Sequence, residues 1–277
     1  MNRYLPCSIL KKNARTQLFG KLGTVIGAFL VHILCLMPLY LCLEKIGLST
    51  WQQIIIYVLA DILLNLIGSV FSLGESLLYL KNASGGDIGV LDVFYGFQGQ
   101  IAKVIKVRLI PVLVTVISEI PIILLSNAYT MAFAEAIPDM DKFMSMYREA
   151  LFSGNPAKVE ALMAYVNPLM PLVGLLVLAY LFQILAIFIV GVVFGLSYYV
   201  ILDYPELSAK DTILYSIRLL KGNVGRYVYM RLSFIPWIIL APFTCMISYV
   251  WFYIYRGGTM ANFYLDLVNK KTDKGNA

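Results

Sequence analysis

Five residues in one apolar segment are spaced so that their side chains would share a face of a helix. They are Asp61, Asn65, Gly68, Ser72 and Glu75, separated by steps of three and four residues. An ionisable group at the centre of a bilayer costs about 2.5 to 3.5 kcal/mol on insertion scales, so two carboxylates there need a protein partner, a water-filled cavity or a proton. The stripe predicts either a polar pathway or ligand site between helices, or hydrogen bonds that hold helices together.

Four more polar residues of apolar segments could face the same interior. Glu119 and Gln183 lie in later segments, and His32, the one histidine of the chain, lies in the middle of the first. A packed neutral imidazole is favoured over a proton shuttle at His32. Arg231 is expected either to extend to the interface or to pair with a buried carboxylate. If Asp61 is charged, the sequence offers His32 or Arg231 as its basic partner.

Cofactor and catalytic chemistry have no motif in the sequence. A single histidine, without acids or cysteines at ligand spacing, argues against a zinc site. Neither a Gly-x-Ser-x-Gly elbow, a Walker A loop nor a Gly-x-Gly-x-x-Gly turn is present. Cys7, Cys35, Cys42 and Cys245 show no paired spacing and are predicted to be free thiols. We therefore expect no catalytic residue, no cofactor and no metal.

The elements that must carry the polar side chains are membrane helices. The 277 residues are 60% apolar and 14% charged, with a mean hydropathy of +0.78, whereas soluble domains average about 45–50% and about 25%. Residues 22–43, 161–202 and 232–255 contain no charge, and each run is long enough for a span, which needs about 20 residues. A soluble enzyme and a nucleic-acid-binding protein are excluded, because the 22 basic residues lie beside apolar runs in the positive-inside pattern.

The predicted fold is all-α and polytopic, a single integral membrane domain of about six transmembrane helices arranged as three hairpins. The spans are predicted at 22–43, 53–80, 109–134, 169–202, 224–246 and 248–268. An external polar loop is predicted at 135–167, either as a solvated loop or as a pair of short helices. Asn167 before Pro168 is expected to break the helix that precedes span four. Five spans are the alternative. Six are favoured because they return Lys270, Lys271 and Lys274 to the cytoplasm, although Arg256 and Asp266 must then face protein or reach the interface.

An amphipathic basic stretch precedes spans one, three and five and forms a weak internal repeat. The stretches are 9–19, 90–106 and 208–221, and LFGKLG (18–23) parallels LKGNVG (220–225). Ser208 with Asp211 forms a capping-box start, and Gly222 forms a stop. Each stretch is predicted to be an elbow helix that lies along the cytoplasmic membrane surface, with its apolar face, including Phe94 and Phe97, in the headgroup boundary and its lysines toward anionic lipid.

Several longer motifs carry a resemblance to a known family. They are LSAKDTILYSIRLLKGN (207–223), LSFIPWIIL (232–240), ANFYLDL (261–267), LGESLLYL (73–80) and DVFYGF (92–97). On these motifs the chain resembles the domain-of-unknown-function 975 family of bacterial integral membrane proteins. The family usually has a glycine-containing turn between spans five and six, where this chain has TCMIS (244–248). The resemblance implies a bacterial membrane protein and no established reaction.

The sequence favours a non-catalytic protein of the bacterial cytoplasmic membrane, with both termini cytoplasmic. It would act as an accessory, assembly or lipid-interacting component whose partners are membrane lipid and a protein partner or second copy. One alternative is a small oligomeric transporter or channel that uses Asp61, Glu75 and Glu119, and another is an intramembrane enzyme acting on lipid. Convergence of the carboxylates on a hydrated cavity would favour transport or lipid handling, and dispersion would favour the accessory role.

Overall fold

The computed structural model describes residues 4–48 and 50–275, with side chains to residue 270. All regular structure in those residues is helical, which confirms the all-α class. The α-helices are α1 Cys7–Leu18, α2 Leu22–Leu43, α3 Trp51–Ala83, α4 Ile101–Ala136, α5 Met140–Ser153, α6 Pro156–Val166, α7 Met170–Phe194, α8 Ser197–Asp203, α9 Ala209–Leu220, α10 Val224–Leu232, α11 Ile235–Leu240 and α12 Ile247–Gly275. Short 3₁₀ segments lie at Val90–Phe97, Asn167–Leu169 and Pro242–Thr244.

Four helical segments of the described residues are long and apolar enough to cross a membrane. They are Leu22–Leu43, Trp51–Ala83, Ile101–Ala136 and Pro156–Asp203. The first has the bounds of the predicted first span, and the next two extend past their predicted spans at both ends. The chain is therefore a helical membrane protein, while the count of six spans and the arrangement in three hairpins stay predictions.

The fourth of these segments changes helix type at the position of the predicted break, where α6 ends at Val166 and α7 begins at Met170. Asn167 has φ −54° and ψ −40°, which is right-handed helical, and the chain continues through Asn167–Leu169 into α7. Pro168 lies in the first turn of the 3₁₀ segment, where its missing N–H leaves no helical bond unmade. The polar segment 135–167, for which the sequence favours a solvated loop or a pair of short helices, contains the two short helices α5 and α6, and the Phe143 and Tyr165 rings pack 6.4 Å apart.

The region of predicted span five is not one helix. It consists of α10, α11 and the segment Pro242–Thr244, and the chain then reverses at Cys245 and Met246, which have φ of 48° and 66°. The reversal lies within the turn region indicated by the sequence. Predicted span six lies inside α12, whose residues are buried on most sides between Phe252 and Leu267.

The chain divides into two compact units. The first comprises Met1–Lys45, Leu59–Leu113 and Ile189–Ala277, and the second comprises Ile46–Val58 and Val114–Phe188. In the first unit α12 is the buried centre, with Phe263, Tyr264 and Leu267 fully enclosed and α1 packed along it. In the second unit α5 and α6 pack against each other.

Two of the elbow stretches end in the same backbone turn. After α1, Phe19 has φ −65° and ψ 126°; after α9, Lys221 has φ −57° and ψ 125°. The next residue is Gly20 in one case and Gly222 in the other, both at φ 84°, a conformation that favours glycine. The Ser208 hydroxyl caps α9 by accepting from the Asp211 N–H at 3.1 Å. The parallel read in the sequence is therefore a structural repeat.

The middle elbow stretch differs from the predicted single helix at 90–106. Its first part is the 3₁₀ segment Val90–Phe97, Gly99 has φ 98°, and residues from Ile101 onward are the start of α4. The 3₁₀ segment packs against α3 so closely that a β-carbon on Gly96 would collide with the Val70 carbonyl. The Phe94 and Phe97 rings lie 5.7 and 4.9 Å from the Phe71 ring of α3, so these aromatics contact protein as well as the surface.

Candidate functional site

The two carboxylates of the stripe do not lie together. Asp61 and Glu75 are each 6% exposed and both belong to α3. Fourteen residues at a rise of 1.5 Å separate them by about 21 Å along the helix. Each carboxylate therefore has its own surroundings, although both belong to the first unit.

Glu75 is held on both oxygens by residues of two other helices. The Nδ1 of His32 on α2 lies 2.8 Å from Glu75 Oε1, and the hydroxyl of Tyr253 on α12 donates to Oε2 at 2.6 Å. The His32 ring stacks on Phe71 at 5.2 Å, and the Phe29 ring packs against Tyr253 at 4.8 Å. The carboxylate thus joins α2, α3 and α12 through hydrogen bonds enclosed by aromatic rings.

Glycines let the helices and the 3₁₀ segment approach α3 at this level. A β-carbon on Gly74 would collide with the Val93 carbonyl, and one on Gly257 of α12 would collide with the Tyr79 ring. Such contacts are typical of membrane helices that pack through small residues. The glycines near Glu75 therefore allow its neighbours to pack closely against α3.

Ser72, which carries the hydroxyl of the stripe, bonds within its own helix and with a tyrosine. Ser72 donates to the Gly68 carbonyl at 2.9 Å. The Tyr198 hydroxyl hydrogen-bonds with Ser69 and Ser72. The guanidinium of Arg108 on α4 lies 4.8 Å from the centre of the Tyr198 ring. Ser72 is thus part of a contact between α3 and α8 within the first unit.

Asp61 has a different set of contacts. Asn65, one turn further along α3, donates to both the carbonyl oxygen and Oδ1 of Asp61 at 2.9 Å. The second carboxylate oxygen, Oδ2, is buried and has no hydrogen-bond partner among the described residues. His32, one of the two bases that the sequence offers to a charged Asp61, bonds Glu75 instead, about 21 Å further along α3.

Arg231 lies against Gly191, near the end of α7, and Tyr227 lies against Gly195, which directly follows that helix. A β-carbon on Gly191 would collide with the Arg231 guanidinium, and one on Gly195 would collide with the Tyr227 hydroxyl. The guanidinium also lies 5.7 Å from the centre of the Tyr227 ring. The two glycines, four residues apart, thus make room for side chains of α10 rather than for a bare helix backbone.

Glu119 and Gln183 belong to the second unit, whereas the other polar candidates belong to the first. Both side chains are half-buried, on α4 and α7 respectively. That Glu119 and Gln183 could face the same interior as Asp61 stays a prediction.

Several polar contacts of the first unit were not assigned from the sequence. Arg226 forms an ion pair with Asp266, whose other oxygen accepts the Leu5 N–H at 3.2 Å. Tyr264 donates to Asp203 at 2.6 Å. The acidic residues were visible as charges near apolar runs, but a tyrosine in such a run has no distinguishing signal, so Tyr253 and Tyr264 could not be singled out.

Comparison with known proteins gives a family for the whole chain. A family model described as "Protein of unknown function (DUF975)" matches residues 6–271. The chain belongs to the DUF975 family. This confirms the membership indicated by the motifs of the C-terminal third and of residues 73–97. No curated protein and no solved structure matches the chain.

Proposed function

We propose that this DUF975 protein is a non-catalytic, multi-pass component of the bacterial cytoplasmic membrane that binds membrane lipid and assists a protein partner or a second copy of itself. The observation that carries the proposal is that both carboxylate oxygens of Glu75 are bonded within the protein, one by His32 and the other by Tyr253. A carboxylate bonded within the protein on both oxygens has a packing role that needs no substrate, since polar contacts between membrane helices stabilise their association.

The elbow helices support the lipid part of the proposal. Ile9 and Lys12 on α1 are exposed, and Phe19, which directly follows α1, is 90% exposed. On α9, Leu214 and Ile217 are exposed near the exposed Lys221. Apolar side chains interleaved with basic ones on one exposed face are typical of helices that lie in the headgroup boundary of anionic membranes.

The proposal places both termini in the cytoplasm. Six spans, as the sequence predicts, would require α10 to Thr244 and then α12 to cross the bilayer. Four spans, followed by a C-terminal segment that enters and leaves the bilayer on the cytoplasmic side, would also place both termini in the cytoplasm. The positive-inside pattern is compatible with both arrangements.

The test is affinity purification of the protein from native membranes, followed by identification of the co-purified lipids and proteins. We expect enrichment of anionic lipid and of one protein partner, or a second copy, over a membrane protein of similar size. Lys12→Gln combined with Lys221→Gln should lower the anionic lipid severalfold, because each basic residue at such a surface contributes about 1 kcal/mol. Lys142→Gln combined with Lys158→Gln, on α5 and α6, is the matched control.

Two results would contradict the proposal. One is co-purification of neither a partner, a second copy nor anionic lipid above background. The other is a specific solute or ion flux in vesicles that contain only the purified protein, which would favour transport instead.

A further inference from the structure

Residues 224–268 form a hairpin, called here the C-terminal hairpin, whose two arms pack antiparallel. The Ser248 hydroxyl donates to the Trp237 carbonyl at 3.2 Å. Further from the turn, the Phe234 ring packs against Phe252 and Tyr255, with centroids 6.1 and 5.3 Å apart. These contacts place the turn at residues 244–246, between α11 and α12.

The tip of this hairpin is apolar and exposed. Phe243 is 80% exposed, Ile247 is 72% exposed, and Ile239 and Met246 are also exposed. No charged residue occurs between Arg231 on the first arm and Arg256 on the second. Large apolar side chains clustered on an exposed turn are unusual in water, so the exposed side chains of this tip have the composition of a surface that contacts hydrocarbon.

The turn also satisfies its own backbone. Thr244 Oγ1 accepts from the Ser248 N–H at 3.2 Å and donates to the Leu240 carbonyl at 3.1 Å. The Met246 N–H donates to the Ala241 carbonyl at 2.9 Å. Hydrocarbon offers no hydrogen bonds, so irregular backbone inside a bilayer requires such internal partners. The hydroxyls of Thr244 and Ser248 supply them.

The base of the hairpin lies beside a charged helix. The Leu5 N–H donates to Asp266, and Arg15 Nη2 lies 3.4 Å from the Tyr255 hydroxyl, so α1 accompanies α12 from residue 266 to residue 255. Lys12 and Arg15 are exposed on α1. Because exposed charges are costly in hydrocarbon, α1 and this part of α12 must lie at the membrane surface.

The remaining length is too short to cross the bilayer. Residues 246–255 rise about 15 Å as a helix, half of a hydrocarbon core about 30 Å thick. A crossing hairpin would draw Arg256 to the middle of the core. Its guanidinium lies over the rings of Phe252 and Tyr253 at 5.3 and 5.8 Å, an arrangement suited to the interface.

We propose that the C-terminal hairpin is re-entrant: it enters the bilayer from the side that carries α1, turns near the middle of the hydrocarbon core at residues 244–246, and returns to the same side. Its exposed tip is covered by the acyl chains of membrane lipid. This inference needs only that the chain is a membrane protein, and it does not depend on the accessory role.

The native Cys245 provides the probe. A variant with Cys7, Cys35 and Cys42 replaced by alanine leaves one thiol, at the turn, where it is exposed. We expect no reaction with a membrane-impermeant maleimide in intact cells or in inside-out vesicles, and full reaction after solubilisation in detergent. Thr16→Cys on α1 and Ser153→Cys on α5 are matched controls, each in a background in which all four native cysteines are alanine. We expect Thr16→Cys to react in inside-out vesicles and Ser153→Cys to react in intact cells.

Reaction of Cys245 from the outside would show that the hairpin crosses, and reaction from the inside would show that the tip lies in water. Either result overturns the proposal. A second variant carries Phe243→Cys and none of the native cysteines. If neither this thiol nor Cys245 reacts in detergent, the proposal is also overturned. A nitroxide attached at Cys245, in vesicles of phosphatidylcholine and phosphatidylglycerol, then separates lipid from protein cover. We expect collision with oxygen and protection from a water-soluble nickel chelate; protection from both would mean that protein covers the tip and would refute the proposal.

Discussion

The two ends of the polar stripe on α3 have the same residue chemistry and opposite surroundings. Glu75 meets α2 and α12 and is bonded on both carboxylate oxygens. Asp61 is equally buried, yet its bonding partner is Asn65 of its own helix and its Oδ2 has no partner among the described residues. Burial alone therefore does not distinguish a carboxylate that joins helices from one that does not.

Partners from neighbouring helices decide how much a buried polar group contributes to stability. Removing one member of a buried hydrogen-bonded set leaves the others unsatisfied, which costs more than the bond itself contributed. Mutations at the Glu75 end of the stripe should therefore lower the free energy of unfolding more than mutations at the Asp61 end.

The largest effect is expected from Glu75→Ala. It would leave His32 and the Tyr253 hydroxyl buried without their partner and open a cavity, so we expect a loss of about 2–4 kcal/mol in the free energy of unfolding. Denaturant titration of the protein in detergent micelles measures this loss. Glu75→Gln keeps one donor and one acceptor and should lose less than half as much. Equal losses for the two variants would mean that shape, and not hydrogen bonding, matters at this position.

Gly74→Ala should come next, with a loss of about 2 kcal/mol, because its β-carbon would meet the rigid Val93 carbonyl. Gly68, nearer Asp61, is the matched control, since a β-carbon there would meet the Leu36 Cδ1 at 3.2 Å, the movable end of a side chain. The apparent melting temperature in detergent should fall for Gly74→Ala and change little for Gly68→Ala. The reverse order would refute the close approach of the 3₁₀ segment to α3.

A smaller effect, about 1 kcal/mol, is expected from Tyr253→Phe, which removes one hydrogen bond and keeps the ring against Phe29. Tyr249→Phe, on the same helix at an exposed position, should be neutral. A double-mutant cycle with Glu75→Gln isolates the pair, and a coupling energy near zero would show that the hydroxyl does not bond the carboxylate in the folded protein.

The smallest effect is expected from Asp61→Asn. The amide can still accept from Asn65, and it replaces a carboxylate oxygen that lacks a partner, so the free energy of unfolding should change by less than about 1 kcal/mol. Melting curves of both proteins between pH 5 and 8 should differ by a constant offset or not at all. A pH-dependent difference would mean that Asp61 titrates in that range and would favour the transport alternative over the accessory role.

The elements most fully predicted were those set by local signals. α2 was predicted by an uncharged run of the right length, and α9 by Ser208 and Gly222 at its ends. The predictions failed where packing overrode local preference. Residues 90–97 form a 3₁₀ segment instead of the predicted elbow helix, and Gly74 and Gly96 let this segment lie close against α3.

The sequence is enough to predict the membrane character, the all-α class, the family and the two matching elbow turns. Each of these follows from composition, or from residues close in the chain whose backbone preferences act locally. Only the tertiary structure decided that His32 and Tyr253 bond Glu75 and that Asp61 is left with Asn65. Residues 32, 75 and 253 are distant in the chain, and which side chains meet depends on how far each helix is shifted along its neighbours, a quantity that periodicity within one helix does not contain.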